Sequence, residues 1–367
     1  MATIGTRQLS ALRQVTALGL PANLVISELV ECLKDIVGFD SASMVFLDER
    51  LAPRDLFATH DNRPHVTARY LERWFNRDEA LFYPSQIRMQ TDPKLAQIRV
   101  SDFSGRPGRT EIYEEIFKHN LHHWIAGIAI RNGARAIGNL GIGRPPSSSD
   151  FSDRDMALLA QVRPYLSQAL SRQDEAGNFS PEQLTHSETA MIVTDMAGNL
   201  QHSTSNGWRL LRQAANINAD RKTYTDRTCE WARPFLAGLA QRIEMSLNGH
   251  DAPPATVTVG SPYGYFLLRA YALDSSWSDP ARLICVQIER QVPIALRLYA
   301  SERYRRLSLR ERKVCELVAS GFSHGEVASA MGVKPSTAIS HTRSIYAKLG
   351  VHEREGLVGA LLPPTRR

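Results

Sequence analysis

Gly321-Phe322-Ser323-His324-Gly325 spells G-x-S-x-G, the spacing with which a hydrolase lifts a serine hydroxyl above a sheet as a nucleophile. That chemistry needs a buried strand entering the serine, a helix leaving it, and a histidine and an acid placed later in the same sheet. The preceding residues argue against the strand. In "SLRERKVCELVASG", Val314, Leu317 and Val318 recur at i, i+3 and i+4, and Ser308 stands three residues before Glu311 as in a capping box. This reads as a helix stopped at Gly321. The 44 residues after Ser323 are also too few to supply the rest of a hydrolase sheet.

Ser323 has a second use. With Glu326 it again makes a capping box, opening a short helix whose apolar stripe is Val327, Ala328 and Met331. "MGVKP" is then a turn, and Pro335 suits the first position of a further helix. On that helix Ala338, Thr342, Ile345 and Leu349 share one face, while Ser336, Ile339, Ser340, Arg343 and Ala347 share another. One face packs and the other is left to meet a partner. Two helices joined by a short glycine-containing turn form a helix-turn-helix, whose second helix fits the major groove of DNA.

Charge supports a polyanionic partner. The formal balance of the chain is +6, yet residues 297–367 carry 13 basic and 6 acidic side chains, a local +7, so the rest is close to neutral. At 367 residues with 43% hydrophobic content, the chain is long enough for two or three packed domains. Cys32, Cys229, Cys285 and Cys315 lie far apart without C-x-x-C spacing, which fits reduced thiols in a cytosol rather than a disulfide framework or a zinc site. There is no secretory h-region, and the longest apolar runs, such as Trp124 to Ile130, are too short to span a bilayer.

The C-terminal residues closely resemble the LuxR-type DNA-binding domain of bacterial transcription regulators. The likeness runs without a gap from "LSLRERKVCELVASGFSHGEVASAMGVKPSTAISHTRSIYAKLGV" through Arg354, and includes Arg310-Glu311, Gly321, Glu326-Val327-Ala328, Thr337, His341 and Lys348-Leu349-Gly350-Val351. It implies a four-helix domain that dimerises, often through its last helix, here about "EREGLVGALL", on an inverted repeat. By carry-over, Ser340 and Arg343 stand where that family reads bases, and Ser323, Thr337 and Lys348 where it holds phosphates. Lys334, Ser336, Ile339 and His341 complete the expected DNA face. Three positions depart from the family pattern. Its Asn-Lys before the scaffold-helix glutamate is His324-Gly325, its Ser N-cap on the recognition helix is Lys334, and its Thr-Val-Lys is Thr337-Ala338-Ile339. Each departure removes a cation or a cap from the phosphate register.

Further elements must position this domain. "NLVISELVECLKDIVGFD" has helical periodicity, "SASMVFLDE" is strand-like, and "HHWIAGIAIRNGARAIGNLGIG" is a hairpin about Asn132-Gly133. Ser152 and Asp155 cap a long helix with a kink expected at Pro164. This order resembles a GAF domain over roughly residues 18–172. "RQDEAGNFSPE" reads as a linker. The middle segment, opening "IVTDMAGNL", resembles a PAS domain, and "IALRLYASERYRR" is a helical connector. In the first segment Tyr70, Trp74, Tyr83 and Trp124 are candidates to line a ligand pocket, with core packing the competing account. His122-His123 are poor metal co-ligands, since neighbours in a strand point to opposite faces.

The expected architecture is therefore multidomain: α+β GAF-like and PAS-like sensory domains over 1–175 and 183–292, then an all-α four-helix LuxR-type helix-turn-helix domain over 300–367. The expected function is a cytoplasmic, non-enzymatic transcription regulator without a cofactor. Its expected partners are double-stranded DNA, a second copy of the chain, a small-molecule ligand and RNA polymerase, with no membrane. The competing readings are a serine hydrolase using Ser323 and a sigma-like promoter subunit, whose helix-turn-helix shares an "LSxRE"-like start.

Overall fold

The computed structural model describes residues 6–60, 64–104, 107–172, 179–226, 229–273, 283–299 and 301–362. Most of the expected linker at 172–182 lies outside them. The chain opens with helices α1 (Thr6–Ala17) and α2 (Ala22–Val37), the second burying Leu24, Leu29, Leu33 and Val37 on one stripe and ending at Gly38 in a positive-φ conformation. Strands β1 (Ser41–Leu47) and β2 (Pro53–Ala58) follow, then the short helices α3 (Pro64–Arg69) and α4 (Gln86–Thr91), β3 (Gln97–Arg99) and α5 (Ser101–Ser104). The hairpin β4 (Trp124–Asn132) and β5 (Arg135–Arg144) turns at Gly133, whose φ of +59° is the conformation such a turn requires. Helix α6 (Asp153–Leu170) closes the domain from the Ser152–Asp155 capping box and runs on through Pro164.

These strands form an antiparallel sheet of order β2-β1-β5-β4-β3. Helices α1, α2 and α6 pack together, and their apolar residues join the sheet in the main core. A satellite core about Trp74, Tyr83, Met89, Ile98 and Ile116 lies under the short helical segments.

The second domain is also antiparallel, of order β7-β6-β10-β9-β8. Its strands are β6 (Leu184–Asp195), β7 (Leu200–Ser203), β8 (Thr256–Ser261), β9 (Gly264–Leu273) and β10 (Leu283–Pro293), with α7 (Gly207–Ala214), α8 (Arg221–Thr225) and α9 (Arg233–Leu247) between β7 and β8. The apolar sides of α7 and α9 bury Leu210, Leu211, Leu236 and Leu239 against Ile192, Phe266 and Val286 of the sheet. The expected α+β, α+β, all-α order is what the structure contains.

The two sheet domains meet at a buried ion pair. Arg212 of α7 donates to the Asp55 carboxylate of β2 at 2.8 Å, and the two side chains are 1% and 5% exposed. The Arg212 guanidinium also donates to the Ile217 carbonyl at 2.6 Å and lies 5.5 Å from the centre of the Tyr263 ring. Beside it, the Ala219 amide donates to the Arg54 carbonyl at 2.8 Å, and α8 packs on α3. Strand β10 then passes directly into α10 (Ile294–Tyr299), which packs on α1 and α2. Removing one partner of a buried pair strands the other charge, at a cost of about 3–5 kcal/mol. Asp55→Ala is therefore expected to loosen this junction, read by hydrogen exchange as faster amide exchange in β2 and α7 together. An Asp55→Leu/Arg212→Leu double variant is expected to lose less than Asp55→Ala, which urea unfolding can rank.

Candidate nucleic-acid interface and ligand cavity

Five helices follow α10: α11 (Glu302–Arg305), α12 (Leu309–Ala319), α13 (His324–Met331), α14 (Pro335–Leu349) and α15 (Arg354–Leu361). Ser308 and Ser323 each make a complete capping box, with Glu311 and Glu326 respectively. Gly332 and Gly350 end α13 and α14 in the left-handed region. Ala338, Thr342 and Ile345 face inward and are 0–2% exposed, joining Val314, Val318, Val327 and Leu357 in the core. The opposite face of α14 is open: Ser336, Ser340 and Arg343 are exposed, Ile339 and His341 half-buried, and Lys334 exposed at its N-terminus.

This geometry rules out the elbow reading of Ser323. A helix, α12, precedes it rather than a strand. The Ser323 hydroxyl accepts from the Glu326 amide at 3.3 Å, and its backbone is ordinary extended chain at φ −66° and ψ 160°. It is a helix cap, not a strained nucleophile.

In the first domain, a cavity of about 110 Å³ lies between the sheet and the short helical segments. Of the four aromatic candidates, Tyr70 and Tyr83 line this space, and Trp74 and Trp124 do not. Trp74 is fully buried in the satellite core, its indole N–H donating to Glu115 at 2.9 Å and its ring stacked by the Arg73 guanidinium at 4.4 Å. Strand alternation aims Ile125 at the cavity and leaves Trp124 on the other face, where its N–H donates to the Ser148 carbonyl at 2.8 Å. The Tyr70 and Tyr83 hydroxyls donate to Glu79 at 3.0 and 3.2 Å. Glu79 also accepts from the amides of Asn76 at 2.8 Å and Gln86 at 3.1 Å. Burial pushes the Glu79 carboxyl up from its ordinary value while these four donors pull it down.

His122 is a wall residue that its sequence context does not single out. It is 3% exposed. Its Nδ1 lies 2.7 Å from the Asn120 carbonyl oxygen and 2.9 Å from Ser41 Oγ. A carbonyl only accepts, so Nδ1 carries the proton and Nε2, 3.3 Å from Ser43 Oγ, is the acceptor. Burial holds the ring's pKa down to about 4, which leaves it neutral near pH 7.

Residues 305–360 match the family model GerE, described as bacterial regulatory proteins, luxR family. This segment is a LuxR-type DNA-binding domain. No curated protein matches the chain. Among solved structures, the chain is similar to the GAF domain of an Acinetobacter phosphoenolpyruvate-protein phosphotransferase, at 15% identity over 46% of this chain and 95% of that one, with a TM-score of 0.29. A Vibrio cholerae VqmA dimer, described among LuxR-type receptors, aligns at 14% identity over 47% and 81% of the two chains, with a TM-score of 0.19. The E. coli DhaR(N)–DhaL complex aligns at 13% identity over 78% and 91%, with a TM-score of 0.22. These structural likenesses are too distant to carry function.

Within the LuxR-type domain, the Lys348 ammonium pairs with the Glu311 carboxylate, whose pKa this ion pair lowers together with the cap hydrogen bonds to Ser308. Arg343 has no intramolecular partner among the described residues, so its guanidinium is free to meet one from outside. Lys334 caps nothing with its side chain, in keeping with the loss of the family's Ser at that position. The domain rests on the first domain through α10 and α1, where Arg312 donates to Gln14. No helix among the described residues is long and apolar enough to cross a membrane.

The neutral state of His122 has a thermodynamic consequence. Its pKa is about 4 folded against the ordinary 6.5, so between those values the unfolded chain binds more protons. Stability contributed by His122 is full above pH 6.5 and is lost as pH falls toward 4, amounting to about 3 kcal/mol in all. Unfolding followed from pH 7 to pH 4 is expected to show this loss, and His122→Asn is expected to flatten that part of the profile.

Proposed function

We propose that the chain is a DNA-binding transcription regulator in which two sensory domains set the placement of the C-terminal LuxR-type domain on operator DNA. The observation that carries this reading is the LuxR-type match joined to an open α14 face, where Ser336, Ser340 and Arg343 are exposed on a segment with a +7 balance. The units proposed are a GAF-like domain over 1–175, a PAS-like domain over 183–292 and the DNA-binding domain over 300–367. Their α+β, α+β, all-α order supports the division. The chain acts without catalysis, in the cytoplasm beside RNA polymerase, and binds double-stranded DNA as a homodimer, since two copies match the two-fold symmetry of an inverted repeat.

In this reading Ser340 and Arg343 read bases, while Ser323, Lys334, Ser336, Thr337, His341 and Lys348 hold or flank phosphates. Lys348 exchanges Glu311 for a phosphate on binding. The signal is a small molecule in the first-domain cavity, where Tyr70 and Tyr83 face it. Two walls of that cavity also belong to elements that meet the second domain: Thr67 lines the cavity from α3, which packs on α8, and Leu56 lines it beside Asp55. Occupancy of the cavity is thereby felt at the junction between the domains.

Ile339 stands where the family carries a lysine. It is absent from the buried core and only half-buried, four residues from Arg343 on one face, which suits packing on a thymine methyl beside the pair read by Arg343.

Two measurements on full-length protein and its mapped operator test the DNA face. Arg343→Ala is expected to weaken binding by about 1–3 kcal/mol and to relax preference at one base pair per half-site. Equal weakening on every sequence would make Arg343 a phosphate contact instead. Ile339→Lys is expected to raise non-specific affinity and to steepen the slope of log K against log salt by about one. Unchanged wild-type affinity when uracil replaces the thymine would remove Ile339 from base reading.

A further inference from the structure

The floor of the first-domain cavity is a row of residues with little or no side chain. Ser43, Gly141 and Gly127 are register partners across β1, β5 and β4, and all three line the space. A Cβ added at Gly141 would meet only Ser43, its Oγ at 3.5 Å and its carbonyl oxygen at 3.9 Å, both ordinary contacts, so there is unfilled room above it. A Cβ at Gly127 would meet Met89 Cε at 3.1 Å, so that end of the row is already covered. At about 110 Å³, the space is of the order of the roughly 150 Å³ cavity that takes one benzene.

Its chemistry is equally restricted. Aromatic walls come from Phe57, Tyr70, Tyr83 and Phe117, and none of the lining residues is an Asp, Glu, Lys or Arg. An ion entering this space would lose its water without gaining a counter-charge, which is costly. The polar groups that remain include Ser43, Thr67, Gln86, Asn120, Asn139 and His122, which are uncharged. His122 Nε2 is an acceptor because Nδ1 is committed to the Asn120 carbonyl. The Tyr70 and Tyr83 hydroxyl protons are committed to Glu79. The Asn120 side-chain amide lines the space without an intramolecular partner among the described residues.

We infer that the cavity takes a compact, uncharged molecule with a single ring, little larger than benzene, whose N–H or O–H donor takes the place of the Ser43 hydroxyl at His122 Nε2. This rests on the reading of the cavity as a ligand site and adds the class of ligand. Anionic signals such as nucleotides or carboxylic acids, and cationic amines, are excluded by the absence of a counter-charge.

Three probes of one shape and different charge separate the possibilities: benzamide, benzoate and benzamidine, each titrated at neutral pH into the full chain and followed by saturation-transfer NMR. Benzamide is expected to bind, and the other two to bind at least roughly tenfold more weakly. Gly141→Leu, which fills the floor, is expected to abolish benzamide binding; Gly141→Ala, a smaller intrusion, should weaken it if the larger variant does not fold. The ¹⁵N resonance of His122 Nε2 is expected to move when benzamide is added. If benzoate or benzamidine binds as tightly as benzamide and is lost in the Gly141 variants, the ligand class is wrong while the site stands. If no probe binds at millimolar concentration, or benzamide binding survives the Gly141 variants unchanged, the cavity is not a ligand site and both readings fall.

Discussion

The register between the two sheet domains is held by the Asp55–Arg212 ion pair. Taking two charges out of water is expensive, so the pair persists only while each ion holds the other. Here Arg212 adds the Ile217 carbonyl and the Tyr263 ring, its Nε being left without a hydrogen-bond partner, and the neighbouring Ala219–Arg54 backbone bond aligns the chains. Burial lowers the Arg212 pKa, but the Asp55 carboxylate outweighs it, so the guanidinium is held charged more firmly than usual. Such a contact tolerates little sliding, because a small displacement leaves a charge without water or partner. It therefore fixes register between domains in a way that an apolar contact of similar area does not.

From that junction the geometry is carried onward without slack. Strand β10 ends at Pro293 and α10 begins at Ile294, so the last strand of the second domain runs straight into the element that seats the DNA-binding domain. Ile294, Leu296 and Leu298 belong to the same continuous core as Leu12 and Leu29 of the first domain and Val314 and Val318 of α12. The face of α14 that carries Ser336, Ser340 and Arg343 points away from this core and is exposed.

The cavity follows a different logic. Its space comes from side chains that are missing, in the Ser43–Gly141–Gly127 row, and its selectivity from protons already spent elsewhere, on Glu79 and on the Asn120 carbonyl. A buried neutral histidine beside buried tyrosines is a polar lining without net charge. That combination favours ligands by hydrogen-bond complementarity and size rather than by electrostatic attraction.

Local rules made the C-terminal domain legible in the sequence. Capping boxes at Ser308 and Ser323, glycines at helix ends, Pro335 at a helix start and the apolar stripe of α14 all act within a few residues of one another, and the structure has each of them. The same is true of the Asn132-Gly133 hairpin and the Ser152 cap. Of the pocket aromatics, Tyr70 and Tyr83 face the cavity, whereas Trp74 and Trp124 do not, because the side a tryptophan takes depends on where Glu115 and Ser148 stand in space. The residues that matter most to the sensory half were not legible at all. Asp55 and Arg212 are 157 positions apart, and nothing in "PRDLFA" or "GWRLLRQA" marks them as partners. Glu79 and His122 look like surface residues in composition and are buried in fact. The sequence by itself determined the helix-turn-helix, since its information is periodic and short in range. Tertiary structure alone decided which charges are buried together and where a floor of small residues leaves room, since burial and pairing are properties of distant segments brought into contact.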